Sequence, residues 1–210
     1  MEQDLIVAWT IQKASEMNIP QSKFFVEFGA TNGYKLSNTF FLEKYLNWNG
    51  ILAEPAKSWH DELMTTRKCR IEKRCVFTKT GEIVDFTITK DKEFATISKF
   101  ELSDSHSQLR INGEKLEVET VSLQDLLKQI HAPRNIGYLS IDTEGSEYET
   151  LKNFDFSCYE FSVITIEHNF TPRRVLIYNL LASNGYARVL EHVSDQDDWY
   201  VQAALEPLFI

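Results

Sequence analysis

Residues 24–33, Phe-Phe-Val-Glu-Phe-Gly-Ala-Thr-Asn-Gly, constrain this chain more than any other stretch. A short apolar run, broken by Glu27, passes straight into Gly29, Asn32 and Gly33. A run of that kind bounded by turn residues reads as a buried strand followed by a tight turn. Glycines in the turn let backbone approach a ligand, because no Cβ intervenes and positive φ costs little. Glu27 stands just before them. A carboxylate there repels a pyrophosphate but accepts hydrogen bonds from an ammonium group. The full dinucleotide spacing G-x-G-x-x-G is also missing.

A second short apolar strand, Gly50-Ile-Leu-Ala, ends in Glu54 and Pro55. The interval from Gly29 to Glu54 is close to the roughly 20 residues that separate phosphate turn from ribose-binding acid in nucleotide-binding β-α-β units. One carboxylate can accept from both hydroxyls of a ribose. Together the two strand ends suit an amino-acid-bearing nucleotide such as S-adenosylmethionine better than NAD.

The remaining chain alternates strands and helices. Apolar residues at Leu5, Ile6, Trp9, Ile11 and Met17 predict a packing helix at about 3–18. Ser37 to Leu46 reads as a helix capped by Ser37, with Phe40, Phe41, Tyr45 and Leu46 as its apolar stripe. Lys57 to Thr66 follows as a helix burying Trp59, Leu63 and Met64, and Arg70 to Phe77 as a third strand. Cys75, Val76 and Phe77 would then wall the base of a bound nucleoside. Residues 81–121 read as a small β insertion whose polar connection carries Asp104, Ser105 and His106; His106 is incidental or acts on the substrate side. Ser122 caps a helix to Ile130, and Ile136 to Ile141 is another buried strand. It runs into Asp142-Thr-Glu144-Gly-Ser-Glu147. A helix N-terminus accounts for Glu147 and for Glu144, since acids suit the dipole, but not for Asp142. Phe161 to Ile166 is a strand ending in Glu167-His168-Asn169, Pro172 to Leu181 a helix, and 185–190 with 199–204 a closing antiparallel pair. The order predicts a single-domain, three-layer α/β sandwich over residues 1–210.

Composition sets outer bounds. A chain of 210 residues with 43% hydrophobic and 25% charged residues can bury one substantial core. A net charge of −9 argues against nonspecific nucleic-acid binding, which needs a positive field. Cys69, Cys75 and Cys158 show no CxxC spacing, which favours free thiols in a reducing cytosol. No signal peptide is visible, and no apolar run approaches the ~18 residues that span a bilayer. A cytoplasmic protein without membrane or nucleic-acid partners is expected; nothing bears on its oligomeric state.

These blocks, in this order, resemble the FkbM-type S-adenosylmethionine-dependent methyltransferases. The matching stretches are 25–33, Leu36-Ser-Asn-Thr39 with Leu42-Glu43, Trp48 to Pro55, Tyr138 to Glu147, and Ile166 to Asn169. The Asp-x-Glu-Gly-x-Glu block is the most specific. The resemblance implies a Rossmann-like methyltransferase sandwich, mostly parallel, binding S-adenosylmethionine at the carboxyl ends of its strands. It assigns Glu27, Gly29, Asn32 and Gly33 to the methionine part, Glu54 to the ribose, and Asp142 to the cleft near the methionyl amine or the acceptor; Ala30, Ser37, Pro55, Cys75 and Val76 are expected as further cofactor-binding residues. Glu27 replaces the aspartate common in the first motif. Family members often O-methylate hydroxyls, so a sugar or small-metabolite acceptor is expected. His168 and Asp142, then Glu144, are the candidate general bases. Asp142, Glu167 and His168 are also metal-type ligands, but no spacing demands a metal and none is expected. The alternative is a noncatalytic S-adenosylmethionine- or nucleotide-binding module acting in a complex.

Overall fold

The alternation inside residues 24–28 decides what lies at the centre. The computed structural model describes residues 3–89, 92–102 and 107–210. In it Val26 and Phe28 enter one apolar cluster and Phe25 another, because successive side chains of a strand point to opposite faces. Helix α1 (Gln3–Glu16) leads into this strand, β1 (Phe24–Phe28), followed by α2 (Phe40–Leu46), β2 (Asn49–Ala53), α3 (Lys57–Thr66) and β3 (Arg70–Glu72). Next come β4 (Cys75–Phe77), β5 (Ile83–Ile88), β6 (Thr96–Ile97), α4 (Ser107–Arg110) and β7 (Glu114–Ser122). The chain continues with α5 (Leu123–Gln129), β8 (Asn135–Ile141), α6 (Glu147–Leu151) and β9 (Glu160–Glu167). It closes with α7 (Arg173–Ser183), β10 (Tyr186–Val189) and β11 (Asp197–Gln202).

Seven strands form the main sheet in the order β10-β11-β9-β8-β1-β2-β3. From β3 to β9 all neighbours pair in parallel, and β11 joins antiparallel to both β9 and β10. The chain thus builds outward from β1 to β3, then returns to the other side of β1 with β8. Strand order reverses between β1 and β8, where an open α/β sheet leaves a crevice at its carboxyl edge. Leu126 and Leu127 of α5, Leu151 of α6, and Ile177 and Leu181 of α7 share the cluster of Val26. Val7, Ile11 and Ala14 of α1, Leu42 of α2 and Leu63 of α3 share that of Phe25.

A second sheet, β4-β7-β5-β6, holds a third apolar cluster that includes Cys75, Phe77, Phe86 and Ile97. The expected single strand 70–77 is therefore two, one in each sheet. Arg74 causes the break, since its backbone N–H and guanidinium both turn back onto Glu72, at 2.7–2.9 Å. The Ser122 cap forms, its hydroxyl accepting from Asp125 N–H at 3.1 Å. The Ser37 cap does not: α2 starts after Thr39, and Ser37 donates to the Glu27 carboxylate at 2.8 Å instead. Leu42 is the buried residue of α2, with Tyr45 outside, and Met64 of α3 is likewise exposed. Trp9 lies on the half-exposed side of α1 against Phe209, while Val7, Ile11 and Ala14 face inward. His106 and its neighbours Asp104 and Ser105 lie outside the described residues. Among the described residues, no helix is long and apolar enough to cross a membrane.

Candidate functional site

A cavity of about 470 Å³ opens where β1, β2, β8 and β9 end. Its floor requires glycine. Gly29 has φ +78°, and a Cβ there would lie 1.8 Å from the Asp142 carbonyl oxygen. The ends of β1 and β8 are tied at the same level, Asp142 N–H donating to Phe28 O at 3.3 Å. Glycine at this position lets the two strand ends close under the cavity.

Glu54 stands at the end of β2 with 4% of its surface exposed. One carboxylate oxygen accepts from Ala56 N–H at 2.8 Å and the other from Thr31 N–H at 3.0 Å. Burial outweighs those two donors and pushes its carboxyl up to about 7. Each oxygen keeps a further lone pair for a ligand. Pro55, Cys75, Val76, Phe86 and Ile97 supply apolar wall on the second-sheet side. Burial pushes the Cys75 thiol up to about 12, so it packs as a small hydrophobe and is no nucleophile.

The opposite end is acidic. Asp142 and Glu144 follow β8, Glu167 closes β9, and Asp197 opens β11, all lining the cavity. Carboxylate oxygens of Asp142, Glu144 and Glu167 lie within 4.8 Å of one another. Burial, then the charges of Glu144 and Asp197, raise Asp142 well above the carboxylate range; burial and Asp142 do the same to Glu167. Glu144 has φ +58°, held there by its loop. Glu147 accepts from Thr143 N–H, Thr143 Oγ1 and Gly145 N–H at 2.8–3.2 Å, so it staples the turn that aims Glu144. The Arg110 guanidinium donates to Glu144 at 2.6 Å. Burial pushes Asp197 up to about 6, and Gln3 donates to it at 2.8 Å.

Of the residues expected from sequence, Gly29, Ser37, Glu54, Pro55, Cys75, Val76, Asp142 and Glu144 line this cavity. The others are placed elsewhere. Glu27 turns into the fold, accepting from Asn38 N–H at 2.7 Å and from Ser37 and Thr39 hydroxyls, with Arg67 at 3.8 Å. Ala30 is in the apolar cluster of Phe25. Asn32 accepts from the N–H groups of Tyr34 and Lys35, both at 3.0 Å, and shapes the loop. A Cβ on Gly33 would meet Leu63 at 2.5 Å, so that glycine serves the contact with α3. His168 is 3% exposed, its Nδ1 accepting from Phe170 N–H at 3.0 Å and its Nε2 lying 3.7 Å from Asp198. It is no member of the Asp142 cluster.

Sequence reasoning missed Thr31, Asn38, Asp197 and Arg110. Asp197 sits in a polar run that reads as a turn, and Arg110 in a polar loop. Neither carries a local signal, because each acquires its place only when distant segments meet.

The sequence model of the methyltransferase FkbM domain matches residues 27–192. A solved structure, methyltransferase FkbM from Methylobacillus flagellatus, is similar with a TM-score of 0.50 and 14% identity, covering 86% of this chain and 43% of that one. The chain thus spans less than half the length of that protein, and the likeness concerns the fold. No curated protein matches.

Proposed function

Because the chain belongs to the methyltransferase FkbM domain family, we propose that it transfers a methyl group from S-adenosylmethionine to a hydroxyl of a sugar or small metabolite. The observation that carries this reading is the pairing of Gly29 and Glu54 across a cavity at the strand-order reversal. We read the architecture as a three-layer, Rossmann-like methyltransferase sandwich, in keeping with helices in the clusters on both sheet faces. The three cysteines are free thiols, in keeping with a cytoplasmic setting.

The residues present fit the methyl donor. Glu54 has two oxygens directed by backbone donors and a free lone pair on each, which suits paired ribose hydroxyls. Gly29 opens room for close backbone approach, and Pro55, Cys75 and Val76 offer the base an apolar wall. The acids at the far end suit a cationic ligand. When bound, S-adenosylmethionine supplies an electrophilic methyl on a sulfonium. Asp142 accepts the hydrogen bond of the acceptor hydroxyl and takes its proton as the oxygen becomes nucleophilic. Burial and the neighbouring acids raise its pKa, and a carboxylate of raised pKa is the more basic proton acceptor once ionised. The walls exclude water and hold the line of attack, where much of the rate enhancement for a displacement arises.

Calorimetry with S-adenosylhomocysteine, followed by tritium transfer from labelled donor to a panel of hydroxylated sugars and metabolites, tests the reading. Binding and transfer are expected. Absence of binding would sink the donor assignment. Binding without transfer to any acceptor would favour the noncatalytic module.

A further inference from the structure

The geometry points to a divalent-cation site at the end of the cavity, built from Asp142, Glu144 and Glu167 and taking a hard ion such as Mg²⁺ or Mn²⁺. The fold creates the cluster. β8 and β9 are parallel neighbours, with Ile141 opposite Ile166, so residues 142 and 167 leave the sheet side by side. The reversed backbone of Glu144 brings the third carboxylate to within 4.8 Å of the other two.

Proximity of acids alone says little; the unmet bonding of Glu167 says more. Glu167 is 5% exposed, lines the cavity, and its Oε2 has no hydrogen-bond partner. A buried carboxylate oxygen with nothing to accept from is costly and calls for a partner. Arg110 answers Glu144. Asp142 and Glu167 share a side-chain hydrogen bond, and the charges around the pair are all negative: Glu144, Asp197 and Glu147 act on Asp142, and Asp142, Glu144 and Glu147 on Glu167. A cation between these three acids satisfies the orphaned oxygen and offsets the repulsion.

The ligand set selects the ion. Oxygen-only carboxylate donors suit Mg²⁺, Mn²⁺ or Ca²⁺ over soft metals. His168, the one nitrogen donor the sequence offered nearby, faces Asp198 instead. Three protein ligands also leave coordination positions open toward the cavity, as Mg²⁺ sites require. Each carboxylate has two oxygens, so Asp142 can hold the ion with one and face an acceptor hydroxyl with the other. The ion's use in methyl transfer rests on the proposed function; its binding does not.

The test titrates the full chain with Mn²⁺ and Mg²⁺ at pH 8. The loss of the free Mn²⁺ resonance signal and the melting temperature are followed. One saturable ion per chain and a rising melting temperature are expected. Glu167→Gln should raise the melting temperature of the metal-free protein, because a like charge is removed. The same variant should weaken the ion by on the order of tenfold or more, at least what an outer-shell change at a metal site costs. Asp142→Asn should weaken it similarly and stands in if the first variant fails to fold. Glu93→Gln, a cavity-lining acid that pairs with Lys35 at 3.9 Å and is not one of the three carboxylates, should bind like the parent. No saturable binding at millimolar ion, or equal affinity in the parent and both cluster variants, overturns the site. S-adenosylhomocysteine binding on the same samples separates the two readings. Ion without nucleoside sinks the function alone, and nucleoside without ion sinks this site alone.

Discussion

Glu27, in β1, and Asp142, just past the end of the neighbouring β8, lie close in one sheet, yet they end in opposite situations. Glu27 is fully buried and Asp142 half-buried at the cavity wall, but exposure is not what decides their roles. Partners do. Glu27 accepts from two hydroxyls and one backbone N–H, and Arg67 lies 3.8 Å away. Arg67 in turn holds Glu43 at 2.6 Å and the Gly33 carbonyl at 3.1 Å, and its guanidinium lies over the Phe25 ring. Asp142 has two more acids beside it, one of them with an orphaned oxygen. An acid whose bonds are all met inside the chain builds architecture. An acid left short in a cavity is held for something that is not the chain.

The largest expected effect falls on the short side of this comparison. Asp142→Asn keeps the shape but cannot take a proton, so methyl transfer should drop on the order of 10²- to 10⁴-fold. Tritium transfer measures the loss, and circular dichroism should show an intact fold. Full turnover would remove the distinction just drawn. On the satisfied side the expected loss is stability. Arg67→Ala leaves buried Glu27 and half-buried Glu43 without their cation, which should cost about 3–5 kcal/mol in urea unfolding. A loss below ~1 kcal/mol, the scale of an exposed pair, would show that this corner is not held by its ion pairs.

Glu54 lies between the two cases, with two backbone donors and open lone pairs. Glu54→Ala should weaken S-adenosylhomocysteine by about 1.5–3 kcal/mol, the worth of charged hydrogen bonds to the ribose. The same group predicts a pH effect. Its carboxyl is raised to about 7, so the free protein protonates it below that pH. Binding favours the ionised form, so affinity should fall as pH drops below 7, by up to ~tenfold per unit. Stability moves the other way: the gain from the buried neutral acid is full below its unfolded pKa and lost as pH rises through 7. Calorimetry across pH 5.5–8 should show the affinity slope in the parent and none in Glu54→Gln. A slope that survives the substitution assigns the titration to another group.

How far the sequence reaches follows from where each signal resides. The apolar runs that became β1, β2, β8 and β9 are local, and so were legible. Gly29, Glu54 and Asp142 were legible for the same reason, each marking the end of such a run. The division of 70–77 between two sheets was not, because it depends on Arg74 folding back onto Glu72. Glu27, Asn32 and Gly33 have the composition of a ligand turn. Their partners, Arg67, the 34–35 backbone and α3, show only in space. The meeting of Glu167 with Asp142 needed the pairing of β8 with β9, which no residue spacing encodes.

The smallest expected effect concerns His168, the base that its titration range favoured. Its Nδ1 already accepts the Phe170 N–H, and the Asp198 carboxylate facing Nε2 is engaged by Arg174 at 2.7 and 2.8 Å. Burial lowers its pKa below the usual 6.5, so the ring is neutral at pH 7.5, and it is not among the residues lining the cavity. His168→Ala should therefore leave turnover at the parent level with donor saturating. Stability is where the residue should register. The unfolded chain binds the proton more readily than the folded one, so the histidine's contribution is present above pH 6.5. It fades as pH falls from there toward the lowered folded value. Melting temperatures between pH 5 and 8 should lose that slope in the variant, while the pH dependence of the rate stays unchanged. Lost turnover at unchanged donor affinity would instead return His168 to the chemistry and require that its loop reach the cavity during transfer.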